Sequence, residues 1–112
     1  MKWKIIFFLY AGLILWVSSL APADLPKETA AIPDYILHFC EYGLLAVLAW
    51  AAFGGGAGFP WGLFALCVCF GITDECWQDW WGRGRSPEVW DIAADTIGSF
   101  AGLLLSMVFW RR

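Results

Sequence analysis

Apolar positions dominate four long stretches of the chain, approximately Trp3 to Leu20, Asp34 to Phe53, Phe59 to Trp77 and Glu88 to Trp110. Each approaches or reaches the roughly 20 residues that a helix needs to cross a hydrocarbon core about 30 Å thick. The pattern predicts an all-α, four-span transmembrane helical bundle forming a single domain over residues 1–112.

The connections support those boundaries. Between the second and third stretches lies Gly54-Gly55-Gly56-Ala57-Gly58, then Phe59-Pro60, which is turn chemistry without charge and predicts a tight antiparallel hairpin. Ala21 to Pro33 is proline-rich, carries Asp24, Lys27 and Glu28, and reads as a solvated loop. Gln78 to Pro87 reads as a polar, glycine-rich loop containing Arg83 and Arg85. The first stretch has a rival reading: Lys2 and Lys4 precede an apolar core ending near Ser18, Ser19 and Ala21, as in a cleaved secretory signal. Retained or removed, it leaves the direction of the next three helices unchanged.

Orientation follows from lysine and arginine counts in short loops. Both termini inside places Lys2, Lys4, Arg111 and Arg112 on the cytoplasmic face, against Lys27, Arg83 and Arg85 outside. Tryptophan, which concentrates at membrane interfaces, falls at the predicted span ends: Trp3, Trp50, Trp61 and Trp110 inside, Trp16, Trp77, Trp80, Trp81 and Trp90 outside.

Composition agrees, since 61% hydrophobic residues exceeds the roughly half expected of a soluble domain. The net charge of −3 comes with no basic patch, which argues against a nucleic-acid partner and leaves the lipid bilayer as the first one. Cys40, Cys67, Cys69 and Cys76 lack the C-x-x-C spacing of zinc or redox sites. They read as small apolar residues; a Cys40–Cys76 disulfide has no support in the pattern.

Against this background the segment from Gly71 to Gly98 is anomalous, because ionisable groups near a bilayer centre cost roughly 2.5–3.5 kcal/mol each. Asp74, Glu75, Asp91 and Asp95 therefore have to face protein, water or a ligand. The second stretch opens with Asp34, His38, Glu41 and Tyr42, whose spacing puts them on one helix face. The third closes with Asp74, Glu75 and Gln78, and the fourth opens with Glu88, Asp91 and Asp95. All three groups fall at the outer end. Ala94, Gly98, Gly102 and Ser106 recur every fourth position beside the aspartates, a small-residue stripe that permits close helix packing. Arg83 and Arg85 either clamp the acids or meet an anionic ligand. The predicted polar pocket thus comprises Asp34, His38, Glu41, Tyr42, Asp74, Glu75, Gln78, Arg83, Arg85, Asp91 and Asp95. No H-E-x-x-H, phosphate-binding glycine loop or nucleophile signature is present, so no cofactor or metal is predicted from motifs.

The run Asp34-x-x-x-His38-Phe39-x-x-Tyr42, then Asp74-Glu75-x-x-Gln78, then Arg85-Ser86 and Asp91-x-x-x-Asp95-Thr96-x-Gly98 resembles the VanZ-like family of small bacterial membrane proteins. The likeness spans about Pro33 to Leu104. Asp95 stands where the family often has Asn, and Tyr35 where it often has Lys. The resemblance implies a multi-pass protein of the bacterial cytoplasmic membrane and cell envelope, in a family named for a protein associated with teicoplanin resistance. The leading expectation is an outward-facing pocket that binds an envelope component, with an envelope lipid or a glycopeptide as candidate ligand, or that influences access of a lipid-anchored glycopeptide to that component. Two others stand beside it: a metal- or acid-base-dependent enzyme acting on a lipid headgroup, and a structural or assembly subunit whose polar cluster fixes helix register.

Overall fold

The computed structural model describes residues 1–20, 33–81 and 89–110. These form four helices and no strands: α1 (Lys2–Ser18), α2 (Asp34–Phe53), α3 (Trp61–Trp81) and α4 (Val89–Phe109). Asp34–Phe53 and Val89–Phe109 are long and apolar enough to cross a membrane.

The predicted hairpin turn lies between α2 and α3. Helix α2 stops at Gly54, whose N–H donates to the Trp50 carbonyl at 2.8 Å. The chain then turns through Gly55 and Gly58 at φ 132° and 77°, conformations that an L side chain would strain. Pro60 precedes α3 and its carbonyl accepts from Phe64 N–H at 3.0 Å, a placement in which proline's missing donor costs nothing.

Helix ends depart from the sequence expectation in two places. Helix α3 starts at Trp61 rather than Phe59, and it continues past Trp77 through Trp81, so Gln78 is helical instead of opening a loop. Carrying Gln78 on α3 puts it one turn beyond Asp74 on the same face. Glu88, Arg83 and Arg85 lie outside the described residues.

The closest packing joins α2 to α4 through the small-residue stripe. A Cβ on Gly98 would overlap the Phe39 carbonyl, and one on Gly102 would overlap the Gly43 carbonyl, so backbone meets backbone. Tyr42, Leu45, Ala46, Ala49 and Leu103 fill the seam and are fully buried. Helix α1 closes over α2 and α3. Phe7 and Ile14 enter the core, Tyr10 Oη donates to the Glu41 carbonyl at 3.0 Å, and Trp77 Nε1 donates to the Leu15 carbonyl at 2.9 Å. The first stretch is thus an integral part of the packed core.

Trp50 is buried, and its Nε1 donates to the Trp110 carbonyl at 2.9 Å, where Trp3 packs edge-on against Trp110 at 5.0 Å. A tryptophan expected at an interface therefore fastens α2 to the end of α4. All four cysteines are free; Cys67 is buried, whereas Cys40, Cys69 and Cys76 are exposed.

Gly102→Val should wedge α2 from α4 and destabilise the protein by about 1–3 kcal/mol, an overpacking cost. Gly12→Val, at a site with open space around it, should leave the detergent melting midpoint unchanged. Equal midpoints for the two variants would contradict the seam.

Candidate functional site

Helix periodicity carries polar groups of α2, α3 and α4 to one end of the seam. Positions 38 and 42 are one turn apart on α2, 74, 75 and 78 share a face of α3, and 91 and 95 are one turn apart on α4. Glycine at 98 and 102 draws α4 against α2, so short aspartate side chains can reach the imidazole.

His38 is the hub. Its Nδ1 donates to Asp95 Oδ1 at 2.8 Å, which fixes the ring and leaves Nε2 directed at two further carboxylates. Asp91 Oδ2 lies 3.6 Å from Nε2 and Glu75 Oε1 3.9 Å away. Both exceed a normal hydrogen-bond length, and each becomes an ion pair only when the imidazole is protonated. One turn deeper, the Tyr42 ring lies nearly parallel to the imidazole, with planes 11° apart, and its hydroxyl donates to Asp74 Oδ2 at 3.0 Å. His38, Asp74, Glu75, Asp91 and Asp95 are all buried.

Residues outside the predicted set complete this centre. Ser99 Oγ donates to the Asp95 carbonyl at 2.7 Å. Gly71 abuts the Asp95 carboxylate so closely that a Cβ there would sit 2.9 Å from Oδ2. Ser18, from α1, accepts from Gln78 Nε2 at 3.3 Å. Gly71 was findable, because it precedes Glu75 by one helical turn, and Ser99 follows Asp95 by one. Ser18 carries no local signal, since only tertiary packing sets α1 against α3.

Three predicted members stand apart from the hub. Asp34, the first residue of α2, is exposed. It lies a turn before His38, where the seam has ended. Glu41 is half-buried on the flank that meets α1, rotated from His38 by about 60° of helix. Gln78 is buried but bonds Ser18 rather than an acid. Arg83 and Arg85, the predicted clamps, lie outside the described residues, as does Glu88.

A groove of about 640 Å³ opens beside the centre between the N-terminal ends of α2 and α4. Tyr35, Trp90, Ala93, Ala94 and Ile97 give it a mostly apolar wall, with Asp34 and Asp91 as its charged members. Asp91 therefore belongs both to the groove and to the His38 cluster.

The family model VanZ/LLP1 matches residues 4–110, a longer reach than the motif-bearing segment and one that includes α1. Neither the curated proteins nor the solved structures yield a match.

Tyr42→Phe removes a donor from a buried carboxylate and should destabilise the protein by about 1–3 kcal/mol in equilibrium unfolding from detergent. Combined with Asp74→Asn, the total should fall short of the summed single effects by about 1 kcal/mol, because the two residues share one bond. Strict additivity would show that the bond carries no energy.

Proposed function

The chain belongs to the VanZ-like family, and from that premise we propose a four-span protein of the bacterial cytoplasmic membrane whose outward-facing polar pocket binds an envelope lipid. Two helices have span length and hydropathy, and α1 and α3 run beside them with 17 and 21 residues. Large apolar side chains such as Phe8, Leu9, Leu13, Leu44, Leu105 and Val108 are exposed on the outside. Lipid is a suitable solvent for that surface, whereas water would make it an aggregation liability. With the basic termini on the cytoplasmic side, the His38 centre lies toward the outer leaflet.

Asp91 carries the binding reading. It stands at the junction of an apolar groove sized for part of a lipid chain and a buried polar centre that can recognise a headgroup. Such a combination of apolar wall and few convergent polar groups is characteristic of small-molecule sites. A headgroup bearing amine or hydroxyl donors suits Asp91 and Asp34. Occupancy of this groove by an envelope lipid, or by the anchored end of a glycopeptide, connects the site to teicoplanin susceptibility.

The experiment is mass spectrometry of lipids retained by the purified protein, together with teicoplanin susceptibility of a host expressing it. Ala93→Trp, which fills the groove, and Asp91→Asn should each reduce the retained lipid about tenfold, equivalent to ~1.4 kcal/mol. Leu105→Trp, exposed elsewhere on α4, should not. Susceptibility should shift with wild type and revert with Ala93→Trp at equal expression. Unchanged lipid content across the four proteins would refute the reading.

Orientation has its own check. In a background without native cysteines, Ala30→Cys should react with an impermeant maleimide on intact cells, and Gly56→Cys only after permeabilisation. The reverse pattern would invert the topology.

A further inference from the structure

The His38 imidazole faces three buried carboxylates, Glu75 from α3 and Asp91 and Asp95 from α4.

The arrangement is also specific in its atoms. One ligand atom from each of His38, Glu75 and Asp95 lies within 4.8 Å of the other two. Ligands sharing one cation at bond lengths of about 2.0–2.2 Å stand up to ~4.4 Å apart, so an adjustment of a few tenths of an ångström closes the set. These residues come from three helices, so no local motif spacing announces them. A separate observation points the same way. Asp95 is 1% exposed, and its Oδ2, turned toward α3 at Gly71, has no hydrogen-bond partner. A buried anionic oxygen in that state is costly, and a cation satisfies it.

We propose that His38, Glu75 and Asp95 hold one divalent transition-metal cation, with Asp91 beside it where the groove arrives. One imidazole nitrogen with carboxylate oxygens favours Mn²⁺, Fe²⁺ or Zn²⁺ over Ca²⁺ or Mg²⁺, which take oxygen alone. The exposed positions of Cys40, Cys69 and Cys76 keep thiolates out of the set. The cation locks α2, α3 and α4 together at their polar end. It also gives Asp91 a neighbour of opposite charge, so the same junction can meet an anionic headgroup oxygen. This inference goes beyond lipid binding and does not depend on it.

The full chain, purified in detergent without chelator, is stripped and titrated with Mn²⁺ and separately with Zn²⁺. Wild type should bind one equivalent of cation saturably. Glu75→Gln and Asp95→Asn should each weaken binding about 10–100-fold, whereas Asp79→Asn, at an exposed acid, should not. Where a site variant fails to fold, wild type decides alone: bound Mn²⁺ should show hyperfine coupling to imidazole nitrogen from His38, the chain's sole histidine. Substoichiometric binding, equal binding by Glu75→Gln, or absence of nitrogen coupling overturns the site. Wild type that retains lipid but binds neither cation overturns the metal site and leaves the lipid reading standing.

Discussion

The 2.8 Å contact between His38 Nδ1 and Asp95 Oδ1 depends on how closely two backbones approach. Aspartate is short, and it reaches an imidazole on the next helix only if the helices touch. Gly98 and Gly102 provide that approach, lying against the carbonyls of Phe39 and Gly43. The contact then fixes the imidazole tautomer and aims Nε2 at Asp91 and Glu75, so the arrangement of the centre follows from a packing decision made one and two turns away.

The two ends of the seam are built differently. Away from His38, aromatic and aliphatic groups hold the helices: Trp50 on the Trp110 carbonyl, Trp3 against Trp110, and Phe7 against Phe53 at 5.5 Å. At the His38 end, polar bonds replace them, and α1 is tied in through Ser18, Leu15 and Tyr10. Apolar packing at one end tolerates substitution by volume. The polar end does not, because a buried group that loses its partner retains its desolvation cost. The candidate site therefore lies at the less forgiving end, where the groove also opens.

Much of this was legible from residue order. Hydropathy placed four helical stretches, and the cost of charge in an apolar chain singled out His38, Asp74, Glu75, Asp91 and Asp95. Glycine chemistry placed the hairpin turn. One reading was overturned: polar character made Gln78 look like loop, although its partner Ser18 keeps it helical and buried. Periodicity grouped Asp34 and Glu41 with His38 because it sees angle around a helix; the structure sets Asp34 in the groove wall with Asp91 and Glu41 half-buried on the flank that meets α1.

By itself, then, the sequence determined which segments are helical and which ionisable groups have to turn inward, because those are local or one-dimensional energies: hydropathy, turn propensity and desolvation. The tertiary structure alone decided which carboxylate meets which ring nitrogen, that α1 contributes Ser18, that Gly71 faces Asp95, and that Asp91 opens onto a groove. Those facts depend on the relative rotation and separation of helices, quantities set by side-chain interlocking between segments far apart in the chain. No spacing within one helix encodes them.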